Sequence, residues 1–135
     1  IVTFLCSSLH GIAILDSTNA THARRAYVAK MMSLTGAKVM FIEVNNEDEN
    51  FLSEHYRTTV HYSADYVGQS DAQSEADFRK KIEKYKALFE PLDSGAYSAV
   101  EKNWSYMKCD HSKKHFVVHN AKGHIQQKVV NFIMN

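Results

Sequence analysis

Between positions 16 and 25 the chain reads "DSTNATHARR", which sets a carboxylate (Asp16), a hydroxyl (Thr18) and two adjacent guanidinium groups (Arg24 and Arg25) within a short reach of one another. A carboxylate in such a cluster can hold a magnesium ion or accept a hydroxyl proton, and a guanidinium fork beside a hydroxyl suits a phosphate. The arginines carry a further signal: after Asp16 no acidic residue occurs until Glu43. A helix beginning near Asn19 would direct its unpaired N–H groups and positive dipole end toward this cluster, so both arginines sit in the electrostatically unfavourable half. No acid three or four positions away can pair with them. They require an anion from elsewhere, either a bound phosphate at the helix N-terminus or, in the plainer reading, nothing more than solvent around a capped helix.

The surrounding elements must place this cluster. Residues 12–15, "IAIL", have the wholly apolar pattern of a strand buried on both faces of a parallel sheet. The following helix has Ala23, Tyr27, Met31 and Leu34 at helical spacing and stops at Gly36; "KVMFIEV" (38–44) is a second buried-type strand. Strand, helix and strand over 12–44 predict a right-handed crossover, with Asp16 and Thr18 at the carboxyl end of the first strand, where ligands bind in open parallel sheets. A weaker helix is expected at 47–60 and a loop at 61–73. From Ser74 a helix carries Phe78, Ile82, Tyr85 and Phe89 on one face, with Ser74 and Asp77 as a capping pair and Pro91 as its end. "WSYMKC" and "HFVVH" read as strands around the turn "DHSKK", and a final helix from about Lys122 should turn Ile125, Val129 and Phe132 inward. "IVTFLC" fits strand and helix patterns equally.

The 135 residues suit one domain, and the net charge of +1 builds in no broad attraction to nucleic acid or to an anionic membrane. The basic run "RKKIEKYK" is offset by Glu75, Asp77 and Glu83 and reads as a solvated helix face. No apolar run is long enough to span a bilayer. Cys6 and Cys109 lack a CxxC or a paired framework, which favours a reducing compartment, the cytoplasm by default, and a packing role for both. His111, His115 and His119 lie on a strand and its turn rather than on one helical turn, so surface and turn histidines are the expectation and no metal ligand is assigned. The chain opens on Ile1 and closes on "VVNFIMN", and both ends look cut from something larger.

Three segments in order, "AILDSTNATHARR", "DFRKKIEKYKALFEPLD" and "HIQQKVVNFIMN", resemble the kinase domain of the 6-phosphofructo-2-kinase/fructose-2,6-bisphosphatase family, in one register over nearly all 135 residues. The resemblance implies an α/β fold: a P-loop nucleoside triphosphatase-like three-layer sandwich with a mainly parallel sheet. Residues 1–135 would be the C-terminal part of that domain, incomplete at the N-terminus. It implies transfer of the ATP γ-phosphoryl group to the 2-hydroxyl of fructose 6-phosphate, with Asp16 as the catalytic acid near Mg2+ and Thr18, Arg24, Lys81 and Tyr85 as substrate ligands. By the same register "IVTFLCSSL" ends a helix.

The chain departs from the family pattern at several positions. Lys81 stands for an arginine, which keeps the charge and loses the bidentate fork. His55 stands for a nucleotide-contacting asparagine, Val60 for a lysine that steadies the transferring phosphate, and Asn46 for a cysteine, so no ATP ligand is assigned within 46–60. No GxxxxGK[ST] occurs in the chain, and ATP and Mg2+ would need that loop from upstream. A phosphatase domain or a homodimer in the parent protein is compatible with the resemblance. Two readings follow: a sugar-phosphate kinase part, or a non-catalytic relative that keeps the pocket as a regulatory or interaction module.

Overall fold

The computed structural model describes residues 5–6, 11–95 and 98–135. In chain order these form α1 (His22–Ser33), β1 (Met40–Asn45), α2 (Glu49–Tyr62), a 3-10 turn (Ala64–Tyr66), α3 (Asp71–Leu88), α4 (Ser98–Glu101), β2 (Ser105–Asp110), β3 (His115–His119) and α5 (His124–Met134). Most of the reading of "IVTFLCSSL" lies outside the described residues; Leu5 and Cys6 are helical.

The sheet among the described residues has three strands in the order β1-β2-β3. β1 and β2 run parallel, Phe41 opposite Tyr106 and Glu43 opposite Lys108, while β2 and β3 form an antiparallel hairpin with Tyr106 opposite His119. The hairpin follows the predicted "DHSKK" turn, with Lys114 at φ 50°. The parallel pair needs a long crossover, which α2 and α3 supply.

The strand expected at 12–15 is not formed. Residues 11–16 carry no regular structure, and Ile12 and Ile14 are 63% and 88% exposed. An apolar run becomes a buried parallel strand only when neighbours pair with it on both sides, and no described strand pairs with this one. The sheet is therefore mixed rather than mainly parallel, and the helix–strand half of the expected unit stands alone.

Helix α1 begins one turn later than Asn19. Thr21 is its N-cap, extended at φ −109°, with its hydroxyl accepting from the Arg24 N–H at 3.2 Å. The helix is also rotated from the expected face. His22, Arg25 and Val28 turn inward, whereas Tyr27 and Leu34 of the predicted apolar stripe are exposed. Val28 joins Phe41, Leu92 and Tyr106 in the core, flanked by Ala29, Met32, Val39 and Trp104. The Phe41 and Trp104 rings pack at 5.1 Å between centroids.

Helix α2 is capped by Asp48, whose Oδ1 accepts from the N–H groups of Asn50 and Phe51. It packs on α3 through Tyr56 and Phe78, edge to face at 5.5 Å. α3 starts at Asp71 rather than Ser74: Ser70 is the N-cap, and Ser74, 1% exposed, donates its N–H to the Ser70 carbonyl. The predicted Ser74–Asp77 cap is thus interior helix. Phe78 and Ile82 are half-buried, but Tyr85 and Phe89 remain over 40% exposed. On α5 only part of the inward prediction holds: Val129 is half-buried, while Ile125 and Phe132 stand 46% and 85% exposed. No described helix is long and apolar enough to cross a membrane.

Candidate functional site

The two arginines of the opening cluster have separate fates. Arg25 is buried, and its anion is Glu101, 76 residues away on the single turn of α4. Arg25 Nε donates to Glu101 Oε1 at 3.0 Å, and Nη2 lies 3.0 Å from the same oxygen. Glu101 Oε1 is also 2.8 Å from His22 Nδ1, and Glu101 Oε2 accepts the Asp93 N–H at 2.7 Å. His22 Nδ1 is also 2.8 Å from Arg25 Nη2, which can only donate, so the ring nitrogen lies between the guanidinium and the carboxylate. Burial raises the Glu101 pKa, but the hydrogen bonds from His22, Arg25 and the Asp93 amide outweigh it and hold the carboxyl below its ordinary value.

The remaining Arg25 donors reach backward. Nη1 bonds the carbonyls of Asn19 and Ala20 at 3.1 and 3.3 Å. Glu90 closes the same corner, donating its N–H to the Ala20 carbonyl and accepting the His22 N–H on Oε2 at 2.5 Å. Asn19 sits in the left-handed region at φ 36°, and its buried Oδ1 has no hydrogen-bond partner. The entry to α1 is therefore held by side chains from three separate parts of the chain.

Arg24, one position earlier, is exposed. Its guanidinium lies over the Tyr27 ring at 5.8 Å and makes no ion pair among the described residues. Asp16 and Thr18 are likewise exposed on the segment leading into the helix. α1 carries no acid in its first turn, so its N-terminal potential is not cancelled from within the helix. Asp16, Thr18 and Arg24 are thus all exposed, the first two on the irregular segment before α1 rather than at the end of the expected strand, and the third in the first turn of the helix.

Lys81 and Tyr85 lie on α3, one helical turn apart, and both are exposed. Lys81 is already engaged: Nζ donates to the Tyr66 hydroxyl and to Asp77 Oδ2, each at 3.0 Å, and lies 4.9 Å from the Tyr66 ring centroid. The Tyr66 hydroxyl donates in turn to Asp77 Oδ2. The Tyr66 bond first and Asp77 second raise the Lys81 pKa, while Lys81 then Tyr66 lower that of Asp77. No hydrogen bond or ion pair among the described residues joins this pair to Asp16, Thr18 or Arg24.

The three positions of 46–60 that depart from the family pattern have local partners or are buried. The Asn46 side chain accepts from the Asp48 N–H, and His55 stacks on Phe51 with ring centroids 6.1 Å apart. Val60 is buried and offers no donor; it lines a groove of about 400 Å3 between α2 and α3, with Arg57, Thr58, His61, Asp71 and Glu75. The carboxylates of Asp71 and Glu75 in that lining oppose a polyphosphate.

The histidines of the hairpin have separate environments. His119 stacks on Tyr106 and donates from Nε2 to the Lys102 carbonyl at 2.6 Å, and His111 packs near Phe51. The Cys109 thiol is buried, and burial pushes its pKa up, which suits packing rather than nucleophilic work.

Sequence reasoning missed Glu101, Glu90 and Asp93. Their one trace is the acid-free interval around the arginines, which demands a distant anion without saying which.

A parallel strand pair with a helical crossover, flanked by a hairpin strand, defines a small α/β protein compatible with a P-loop kinase-like fold. The model of the 6-phosphofructo-2-kinase family matches residues 1–135, and the chain belongs to that family. It is 33% identical over 98% of its length to a 6-phosphofructo-2-kinase/fructose-2,6-bisphosphatase of Gallus gallus, and equally so to one of Caenorhabditis elegans. Against the Homo sapiens 6-phosphofructo-2-kinase/fructose-2,6-bisphosphatase 1 it is 31% identical over 92% of the chain. The chain spans 26–28% of the length of these relatives.

Proposed function

We propose that this chain is the sugar-phosphate-binding part of a 6-phosphofructo-2-kinase domain, which transfers the ATP γ-phosphoryl group to the 2-hydroxyl of fructose 6-phosphate to give fructose 2,6-bisphosphate. The observation that carries this reading is the division of labour between neighbours. Arg25 is neutralised inside the protein by Glu101, whereas Arg24, exposed in the first turn of α1, makes no ion pair among the described residues. A phosphate dianion there accepts hydrogen bonds from the guanidinium and the Thr18 hydroxyl and gains from the helix dipole. Asp16 is near enough along the chain to accept the proton of the hydroxyl that attacks. ATP supplies the phosphoryl group when bound, with Mg2+ to balance its charge. No ATP ligand is assigned to Asn46, His55 or Val60, whose side chains face Asp48, Phe51 and the interior. Relatives named for both kinase and bisphosphatase extend the proposal to a second, phosphatase activity in the whole protein.

The test is calorimetric titration of fructose 6-phosphate into the protein and into Arg24→Ala. Losing a charge-assisted fork should weaken binding by about tenfold or more. Equal affinity in both would remove Arg24 from the site.

A second reading, a non-catalytic relative that keeps the pocket as a regulatory or interaction module, draws on two observations: the buried Val60, and the engagement of Lys81 by Tyr66 and Asp77. A coupled assay with ATP, Mg2+ and fructose 6-phosphate separates the two. Bisphosphate product supports the kinase; sugar-phosphate binding without product supports the module.

A further inference from the structure

Asn19 and Ala20 lie next to Thr18, outside any regular element, and an asparagine tolerates the left-handed region without being fixed there. Asn19 occupies a left-handed conformation with an orphaned buried side-chain oxygen. Such a conformation persists only when surrounding contacts over-determine it. Those contacts are present: Arg25 Nη1 on both carbonyls, and Glu90 on Ala20 and His22. Arg25 is itself aimed by Glu101, which the Asp93 amide and His22 hold from the other side.

We infer that Glu101 and Arg25 are positioning residues for the substrate loop: by clamping the Asn19 and Ala20 carbonyls they set the backbone from which Thr18 and Arg24 meet the sugar phosphate. This rests on the proposed function for the ligand but not for the clamp. Neither residue touches the substrate. Each acts through the backbone, because a guanidinium spends one edge on Glu101 and the other on two carbonyls, a geometry that a lysine cannot reproduce. Misplacing a binding group by a fraction of its contact distance is enough to lose affinity even when the group is intact.

The experiment compares the full chain with Arg25→Lys, Glu101→Gln and Arg24→Ala. Backbone 15N relaxation of residues 18–21 and fructose 6-phosphate affinity are measured below each protein's unfolding transition. In the unsubstituted protein, residues 18–21 should be rigid, with order parameters of about 0.85. Values below about 0.6 overturn the inference whatever the variants do. Arg25→Lys retains a cation against Glu101, so its β1–β2 amides should be unchanged while residues 18–21 loosen and affinity falls by about tenfold. Glu101→Gln, where it folds, should loosen the same residues. A folded Arg25→Lys with unsubstituted affinity and a rigid loop overturns the clamp, leaving Arg25 a purely structural charge. If Arg24→Ala binds as tightly as the unsubstituted protein, the sugar-phosphate reading fails instead, and the rigidity data still decide the clamp.

Discussion

Arg25 Nε and Glu101 Oε1 meet at 3.0 Å across 76 residues of chain, and both side chains are almost wholly buried. An ion pair in this setting is held in place by what its loss leaves behind. Removing one partner strands the other charge in the interior, at a cost of about 3–5 kcal/mol, although the intact pair contributes far less than that relative to apolar residues. Arg25→Ala and Glu101→Ala should each lower the urea midpoint strongly, while the double substitution costs less than the sum. An additive result would show that the two side chains are not coupled.

The same carboxyl gives the fold an acid limit. The Glu101 pKa lies below its ordinary 4.5 in the folded protein, and Asp110 is held down to about 2 by Ser112 and Lys113. Groups with depressed folded pKa values contribute stability that is complete above their unfolded values and is lost as pH falls through the folded ones. The contribution of these two carboxyls should be flat above pH 4.5 and decline steadily toward pH 2. Far-UV circular dichroism during acid titration checks this, and in Glu101→Gln the decline should be shallower.

At the alkaline end the reporter is Tyr106. Burial, and then the Asp93 carboxylate that accepts its hydroxyl at 3.0 Å, push its pKa up to about 12. A raised phenol contributes stability that is intact below pH of about 10 and lost as pH rises through 12. Ultraviolet titration should show one tyrosine ionising last, and that late phase should be missing in Tyr106→Phe.

Asn19 allows a clean backbone test. Glycine adopts φ of 36° without steric cost, whereas alanine does not. Asn19→Ala should destabilise by about 1 kcal/mol and Asn19→Gly by less. Equal effects would mean that the side chain, not the backbone, sets the conformation.

Leu92 lies in a loop yet is 2% exposed, packed with Val28, Phe41 and Tyr106. Its N–H donates to Glu43 at 2.7 Å and its carbonyl accepts from Lys108, so the cavity left by truncation cannot readily collapse. Leu92→Ala should cost about 2–5 kcal/mol by chemical denaturation, the range of a core leucine rather than of a loop residue.

Local pattern determined much of this protein. The hairpin around "DHSKK", the existence of α1, α2, α3 and α5, and the need of the arginines for a distant anion were all legible, because turn chemistry, helical period and the missing intrahelical acids are properties of neighbouring residues. The tertiary structure alone decided which face of α1 turns inward. The apolar period through Ala23, Tyr27 and Leu34 lost to His22, Arg25 and Val28, since a carboxylate 76 residues away compensates the buried charge there. It also decided that "IAIL" is not a strand, because a strand is made by its hydrogen-bonded neighbours and not by its own side chains. Which of two adjacent arginines is buried and which stays exposed was decided by that same long-range pairing, on which the spacing of Arg24 and Arg25 is silent.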